Sequence, residues 1–401
     1  MTVLQSVGNW FLNNEMIAIL FSLFLGHLIG KISFGRFSFG STVGTLLVAM
    51  LVGQAGVFNI SSTTKMLFLA LCVFVVGYES GPAFIKGFKG AGLRVVICSL
   101  FFVAVGTGIA VSLCKAFELD PGTSAGIFGG GLTQTAVIAT ASDVIASLGY
   151  NEAVTTQLQN NVSIAYALTY FFGTAGLVIL VQRVEPALLR IDLKEAAKRK
   201  AESVGYVEEG DQGDGSVLEK QKETDIPFVC IGIILGLILG SFSLKLGYIP
   251  LTLGSICGVL FVGMVMGCIH EKHPNIGYIP VTVRRFQLIF GLNLFMACTG
   301  LGCGKDFVTA LQTMGAKIFL IGIAVTLGTH LLTMLFGKFV LKMDDVDILG
   351  TQAGTGTSVP ALNSLVDRGE SSVFALAYAP TYAIGNILLT VMGPVIVFLL
   401  A

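Results

Sequence analysis

The sequence contains few charged residues, and the two signs cancel. Asp, Glu, Lys and Arg make up 12% of the 401 residues, with 24 acidic and 24 basic side chains. A chain without net charge lacks the field that draws nucleic acid or a strongly acidic partner. Hydrophobic residues reach 54%, more than a soluble domain can bury, so we expect lipid to surround much of the surface.

Motifs of enzymes and metal sites are also missing. The sequence has no H-E-x-x-H motif and no complete Walker or G-x-G-x-x-G element. Its eight cysteines show no C-x-x-C spacing, which predicts apolar filling rather than zinc binding. No Lys or Arg precedes the first apolar run, so a cleavable signal peptide is not expected. We predict a protein that is not an enzyme and that uses no cofactor or metal.

Long apolar runs are abundant. A membrane crossing needs roughly 20 apolar residues, and ten runs come near that length. They cover about 16–35, 39–58, 64–85, 94–114, 160–182, 226–244, 250–269, 286–303, 316–337 and 374–400. The sequence therefore predicts a polytopic, all-α membrane protein, with membrane lipid as one partner.

Two further apolar segments, 122–148 and 346–368, are interrupted near their middles by Gly, Thr, Ser and Gln. Lys and Arg collect in cytoplasmic loops. If both segments turn back, most of the basic residues fall on one side of the membrane; if the first crosses, the bias largely vanishes. We therefore predict two re-entrant hairpins, the N- and C-termini outside and the central loop inside.

One long polar stretch divides the chain. Its core, Gly210–Gly215, has the composition of a flexible linker, and the preceding Asp192–Ser203 favours a surface helix. The predicted organisation is a first membrane repeat at 1–182, a cytoplasmic linker at 183–225 and a second membrane repeat at 226–401.

The two halves match in sequence. Gly40, Gly44 and Gly53 correspond to Gly254, Gly258 and Gly267; Gly126, Gly130 and Thr133 correspond to Gly350, Gly354 and Thr357; Tyr166–Gly173 corresponds to Tyr378–Gly385. With five crossings per half, the second copy enters the membrane from the opposite side. We thus predict two inverted repeats of five transmembrane helices plus one re-entrant hairpin each, an arrangement typical of secondary transporters.

The hairpin tips are the predicted binding site. Non-helical backbone at membrane depth survives only against protein or a wet cavity, and Thr133 and Thr357 are predicted to cap the second arms, which would offer free amides to carboxylates. Asp143 could hold a substrate ammonium or a proton, or lie at the interface. The alternative is that the Gly- and Thr-rich tips only allow tight packing. The candidate substrate-binding residues are Gly130, Gly131, Thr133, Gln134, Thr135, Asp143, Asn161, Tyr166, Gly354, Thr355, Gly356, Thr357, Ser358, Tyr378, Thr381 and Asn386.

These motifs resemble the aspartate:alanine exchanger family of bacterial membrane transporters. The resemblance covers nearly the whole chain and is clearest in Gly26–Lys31, Gly40–Gly44, Val76–Pro82 and Gly130–Ile138. It implies exchange of small carboxylates or amino acids across a bacterial inner membrane by a homodimer whose hairpin-containing domain moves against a scaffold, as in elevator carriers. The family commonly carries two RCK C-terminal-like domains in the central loop, where this chain has only the linker.

Two other functions remain open at this point. One is a proton- or sodium-coupled symporter or exporter of carboxylates such as glutamate or succinate. The other, from a different class, is a channel or a membrane sensor, which the missing soluble module makes less attractive. Aspartate exchanged for alanine is the leading hypothesis.

Overall fold

The protein is described by a computed structural model that covers residues 14–34, 37–38, 40–56, 58, 60–90, 92–204, 223–246, 249–252 and 254–401. Almost all of these residues are helical, and the strands among them form two short antiparallel hairpins. The all-α prediction therefore needs one small correction. The tip, 247–248, of the second strand pair and most of the predicted flexible linker, 205–222, lie outside the described residues.

The first half begins with a helix, a strand pair and a second helix. Its elements are α1 (Glu15–Gly30), β1 (Ser33–Phe34), β2 (Phe37–Ser38), α2 (Ser41–Gly53), α3 (Ser62–Gly90), α4 (Gly92–Ala116), α5 (Pro121–Gly131), α6 (Ala136–Ser147), α7 (Glu152–Ile179), a π-helical turn (Leu180–Val184), α8 (Glu185–Leu189) and α9 (Leu193–Val204).

The second half repeats much of that order. Its elements are α10 (Ile226–Ser241), β3 (Ser243–Leu246), β4 (Ile249–Thr252), α11 (Ser255–Lys272), α12 (Val281–Leu335), a π-helical turn (Phe336–Val340), α13 (Asp345–Thr355), α14 (Val359–Gly369), a short 3₁₀ turn (Ser372–Phe374) and α15 (Ala375–Leu400).

Among the described residues, six helices are long and apolar enough to cross a membrane. They cover Thr63–Pro82, Gly92–Ala116, Glu152–Leu189, Ser255–Lys272, Val281–Val340 and Ser372–Leu400. Four shorter apolar helices, α1, α2, α6 and α10, accompany them. The predicted spans 286–303 and 316–337 belong to one unbroken helix of 55 residues, about 80 Å of helix at 1.5 Å per residue. Residues near its middle, such as Lys305 and Val308, are exposed. The buried residues of this helix lie on either side of that region, within 291–304 and 315–334.

Close backbone contact between helices explains many of the glycines. A Cβ added at Gly26 or Gly44 would collide with the backbone of the facing helix in the α1–α2 pair, and the same holds for Gly240 and Gly258 in the α10–α11 pair. The absence of side chains allows helix axes to approach closely where lipid offers no hydrophobic drive. Both pairs also begin their second helix after a glycine with positive φ, Gly40 or Gly254.

The two halves pack on one another in a crossed manner. In α3, Gly77 and Gly81 face the backbone of α11 at Leu260 and Met264, whereas Gly300 of α12 faces the backbone of α2. Each half thus contributes a third helix that packs on the second helix of the other half. The contacts between α2, α3, α11 and α12 form part of the hydrophobic core, around side chains such as those of Val43, Leu46, Phe74, Val259 and Leu260.

Two pairs of short helices correspond to the interrupted segments. Hairpin one consists of α5, residues 132–135 and α6; hairpin two consists of α13, residues 356–358 and α14. Each arm has 11 or 12 residues, roughly 17 Å of helix and too short for a hydrocarbon core of about 30 Å. Asp120 and Asp344 cap the first arms by accepting hydrogen bonds from Thr123 N and Val346 N at 2.9 Å.

The linker begins with the predicted surface helix. Asp192 Oδ1 accepts hydrogen bonds from the amides of Lys194 and Glu195 at the start of α9. Leu193, Ala196 and Ala197 are buried in the cluster that contains hairpin two. The helix is therefore attached to that hairpin rather than separated from the membrane region.

Candidate substrate site

The two hairpin tips touch each other. Thr133 Oγ1 donates a hydrogen bond to Gly356 O, and Thr357 Oγ1 donates to Thr133 O at 3.4 Å. Both threonines have left-handed backbones, with φ of 58° and 53°, which is unusual for a β-branched residue. The unfavourable conformation is held by these reciprocal contacts between the halves, as is common at ligand sites.

The predicted capping role of Thr133 and Thr357 is wrong. The second arms begin after Thr135 and Ser358. Ser358 Oγ accepts from Ala361 N at 3.3 Å, and Pro360 lies in that first turn as expected. In hairpin one, Gln134 Oε1 accepts from Ala136 N at 3.4 Å. The sequence pattern placed each cap too early in the chain, because the turn continues past the left-handed threonine.

Polar side chains of the last helix and of α7 surround the tip of hairpin one. Gln134 Nε2 donates to Asn386 O and Oδ1 at 3.4 and 3.3 Å. Thr135 Oγ1 lies 2.7 Å from the hydroxyl of Tyr166. Gln134, Tyr166 and Asn386 are buried, and Thr135 is partly buried. The tip of hairpin one therefore contacts polar side chains of α15 and α7.

Each hairpin is also bonded to a helix of the opposite half. Thr326 Oγ1 on α12 donates to Gly131 O at 2.7 Å, and Thr355 Oγ1 donates to Ser99 Oγ on α4 at 2.9 Å. Thr326 and Ser99 were missed by the sequence analysis. A Ser or Thr in an apolar helix is common, and only the tertiary contact distinguishes these two.

The tyrosines on the two sides differ in their partners. Tyr166 and Tyr170 form one ring pair, with centroids 5.1 Å apart, and Tyr378 and Tyr382 form another at 5.4 Å. Tyr166 bonds Thr135, but the buried hydroxyl of Tyr378 has no hydrogen-bond partner among the described residues. A buried hydroxyl without a partner is destabilising by about 1–3 kcal/mol, and it is a candidate ligand contact.

Several predicted site residues pack the hairpins. Thr381 Oγ1 donates back to Ala377 O within its own helix at 2.7 Å and lies against Gly354. Thr169 has the same relation to Gly130. The close approach of each hairpin arm to its neighbouring long helix therefore depends on a glycine facing a threonine.

Asp143 and Asn161 lie away from the tips. Asp143 Oδ2 accepts from Ile256 N at 3.4 Å, at the N-terminus of α11, where a carboxylate is favoured by the helix dipole. Asn161 Nδ2 donates to Asp120 Oδ2 at 3.2 Å, at the start of hairpin one. Both contacts connect hairpin one to its surroundings.

A cavity of about 840 Å³ lies beside the second arm of hairpin one. Ser142 and Asp143 of hairpin one line this cavity. Lys65 of α3 and Lys305 of α12 line it as well. Asn160, also in the lining, donates to Asp306 Oδ2 at 3.0 Å. The lining combines the ammonium groups of Lys65 and Lys305 with the carboxylates of Asp143 and Glu152 and with amide and hydroxyl groups, which suits a small solute that carries both charges.

No group of three or more His, Cys, Asp or Glu side chains that could hold a metal ion occurs in the described part of the chain. The cysteines described there are free thiols, most of them buried.

The described part of the chain has long apolar helices, two hairpins of short helices and a buried polar cluster at the hairpin tips. These features define a multi-pass membrane protein and are those of a secondary transporter. A family model described as Predicted Permease Membrane Region matches residues 18–186 and 228–398. The chain belongs to this permease family, and it is a membrane transporter that matches the aspartate:alanine exchanger resemblance.

The relatives are similar over nearly their whole length. The chain is 28% identical over 543 aligned positions to a protein of Tetragenococcus halophilus named Aspartate/alanine antiporter, with 99% of this chain and 100% of the relative covered. It is 26% identical to an uncharacterized transporter of Zymomonas mobilis, with 99% and 100% covered, and 26% identical to one of Bordetella parapertussis, with 95% and 96% covered. The first alignment is longer than the 401 residues of this chain, which fits a chain without the central RCK-type domains.

Proposed function

We propose that this protein exchanges small carboxylates or amino acids, with aspartate and alanine as the leading pair, and that substrate binds where the two hairpin tips meet. The observation that carries the proposal is the reciprocal contact of Thr133 and Thr357, next to which Gln134 donates a hydrogen bond to Asn386. The relative named Aspartate/alanine antiporter supports the substrate class.

We also propose an inverted repeat whose units are the membrane repeats 1–182 and 226–401, joined by the linker 183–225. Thr133 and Thr357 share a left-handed backbone, and the same sequence offset relates Glu118 to Lys342, which also have positive φ. The crossed glycine contacts support this symmetry. Two symmetry-related hairpins that re-enter the membrane from opposite sides would provide the two gates of alternating access.

An elevator-type movement of the hairpins against the scaffold is the proposed mechanism. The cavity that separates Ser142 and Asp143 from Lys65 and Lys305 lies between these two parts. Lys65 and Lys305 would attract a substrate carboxylate into the cavity, across from Ser142 and Asp143. Movement of the hairpins along this boundary would then carry the substrate across without opening a continuous pore.

The proposed setting is a bacterial inner membrane, with both termini outside, the linker in the cytoplasm and a homodimer as the assembly. Apolar residues such as Leu20 and Phe24 of α1 and Ile234 and Ile238 of α10 are exposed. These faces suit lipid or a second copy of the chain.

The test is counterflow with purified protein in liposomes. We expect labelled aspartate to enter vesicles preloaded with alanine or aspartate and not vesicles loaded with buffer. Gly130→Ala should abolish this uptake because the new Cβ meets Thr169, whereas Gly108→Ala is the matched control because its Cβ meets nothing within 4 Å. Equal uptake into empty vesicles would favour a coupled symporter or a channel, and normal exchange by Gly130→Ala would remove the hairpin from the mechanism.

A further inference from the structure

A glutamate near the end of the long apolar segment Glu152–Leu189 is wholly buried. Glu185 has 0% of its surface exposed, and its neighbours Arg183 and Val184 are exposed. The π-helical turn Leu180–Val184 immediately precedes it. Such a turn inserts one extra residue and rotates the helix beyond it, and π-bulges are frequent at functional sites. The rotation directs this acid toward the protein interior.

The carboxyl group has one polar contact. Gln352 Nε2 of hairpin two donates to Glu185 Oε2 at 2.9 Å, and Glu185 Oε1 is buried without a hydrogen-bond partner among the residues that the structure describes. None of the ion pairs among the described residues includes Glu185. A carboxylate so enclosed would cost several kcal/mol, since a buried charge needs a partner or must be neutralised.

The contact continues toward the hairpin tip. Gln352 Oε1 lies 2.8 Å from His330 Nδ1. Because an amide oxygen only accepts, His330 carries its proton on Nδ1 in this contact. The ring of His330 lies beside Gly356, whose carbonyl accepts the hydrogen bond from Thr133. Glu185 is thus connected through Gln352 and His330 to the place where the tips meet.

Three of the charged groups around Glu185 bond other partners. Asp345 is paired with Lys338, Asp347 is paired with Lys200, and Arg368 donates to Gln182 O at 3.0 Å. On the other packed elements the titratable groups are Cys98 of α4, His330 of α12 and Asp367 of α14, and on its own stretch they are Arg183 and Arg190.

We propose that Glu185 is a proton-binding site of the transporter, and that Gln352 couples its protonation to hairpin two. A proton from the aqueous phase adds to the Glu185 carboxylate and converts it to a neutral carboxylic acid. A metal cation fits less well, because hard cations need several oxygen ligands and the one polar group in contact is an N–H donor. Binding of the proton stands apart from substrate identity; its coupling to exchange rests on the proposed function.

Infrared spectroscopy of the full-length protein in lipid tests the binding step directly. We expect a carbonyl-stretch band of a buried carboxylic acid in the wild type, its loss at alkaline pH and its absence from Glu185→Gln. That variant keeps an oxygen to accept from Gln352. The control is Glu195→Gln, an exposed acid on α9, which should leave the band in place. Absence of the band from the wild type at every pH would overturn the proposal, as would a band that emerges only when sodium is removed.

Gln352→Leu provides a second readout that does not depend on folding of the Glu185 variant. Removing the donated hydrogen bond should shift the wild-type band, and an unshifted band would contradict the assignment. In exchange assays we expect the wild-type rate to fall as pH rises and the Glu185→Gln rate to remain level. A band without any exchange would refute the proposed function alone, whereas exchange without a band would refute the proton site alone.

Discussion

The two hairpins have the same left-handed backbone conformation at their tips, and they differ in the residues that contact them. Hairpin one is bonded to Asn386 through Gln134 and to the N-terminus of α11 through Asp143. Hairpin two is bonded to buried Glu185 through Gln352, and Lys200 of the linker helix pairs with its Asp347 at 2.6 Å. The two hairpins therefore share their turn geometry, while the surroundings of hairpin two include a buried acid and part of the linker.

This difference indicates separate roles for the two hairpins. Hairpin one faces the cavity with Lys65 and Lys305, and hairpin two contacts the buried Glu185 and the linker helix α9. Variants at matched positions can establish whether the shared turn or the different surroundings control exchange.

The largest expected effect is on the shared feature. Gly130→Ala and Gly354→Ala place a Cβ against Thr169 Oγ1 and Thr381 Oγ1 respectively, and both also meet helix backbone. We expect each to reduce counterflow at least about tenfold, because a shift of the arm by an ångström displaces the tip. Counterflow by Gly108→Ala should be unchanged. Loss in one hairpin variant only would show that the halves are not functionally equivalent.

The matched tyrosines should separate stability from binding. Tyr166→Phe removes the hydroxyl that is hydrogen-bonded to Thr135. We expect this loss to lower the free energy of unfolding by about 1 kcal/mol. Tyr378→Phe removes a hydroxyl without a partner, so the melting temperature of the substrate-free protein should stay level or rise. Substrate affinity should fall in Tyr378→Phe by about fivefold, since about 1 kcal/mol is lost with one hydrogen bond. Unchanged affinity would exclude its hydroxyl from the site.

Asp143→Asn tests whether this acid contacts substrate or only the scaffold. Its carboxylate accepts from Ile256 N at the start of α11, a contact for which we expect a loss of about 0.3–1 kcal/mol in stability. Counterflow of aspartate and of succinate should fall by the same small factor. A selective loss with aspartate, which has an ammonium group, would show that Asp143 holds that group.

The smallest expected effects concern the linker helix. The Lys200–Asp347 pair is largely buried, with side-chain exposures of 15% and 25%, and Lys200→Ala should cost about 1 kcal/mol at most. Lys194 and Glu370 form an exposed pair, at 64% and 62%, and Lys194→Ala should have no measurable effect on melting. A larger effect of Lys194→Ala would mean that the whole helix, rather than Lys200, fixes hairpin two.

Sequence patterns predicted the features that depend on local composition. Glycine and threonine in the middle of an apolar run marked both hairpins, because this signal lies within a few residues of its effect. The caps at Thr133 and Thr357 were misplaced for the same reason: the left-handed turn depends on contacts with the other half.

Glu185 was overlooked because hydropathy placed the end of its span at 182, and the acid then counted as part of the polar linker. The π-helical turn and the packing of hairpin two bury it. A wider window would have drawn attention to a lone acid next to an apolar run.

The sequence by itself determined that the chain enters lipid, that two segments are broken and that the two halves match in sequence, because hydropathy, glycine spacing and turn chemistry act over short distances. Only the tertiary structure decided that the two tips touch, that α12 runs unbroken and that Glu185 faces Gln352. Those features join residues far apart in the chain, such as Thr133 and Gly356, and their free energy comes from burial and hydrogen bonds that exist only after the halves have packed together.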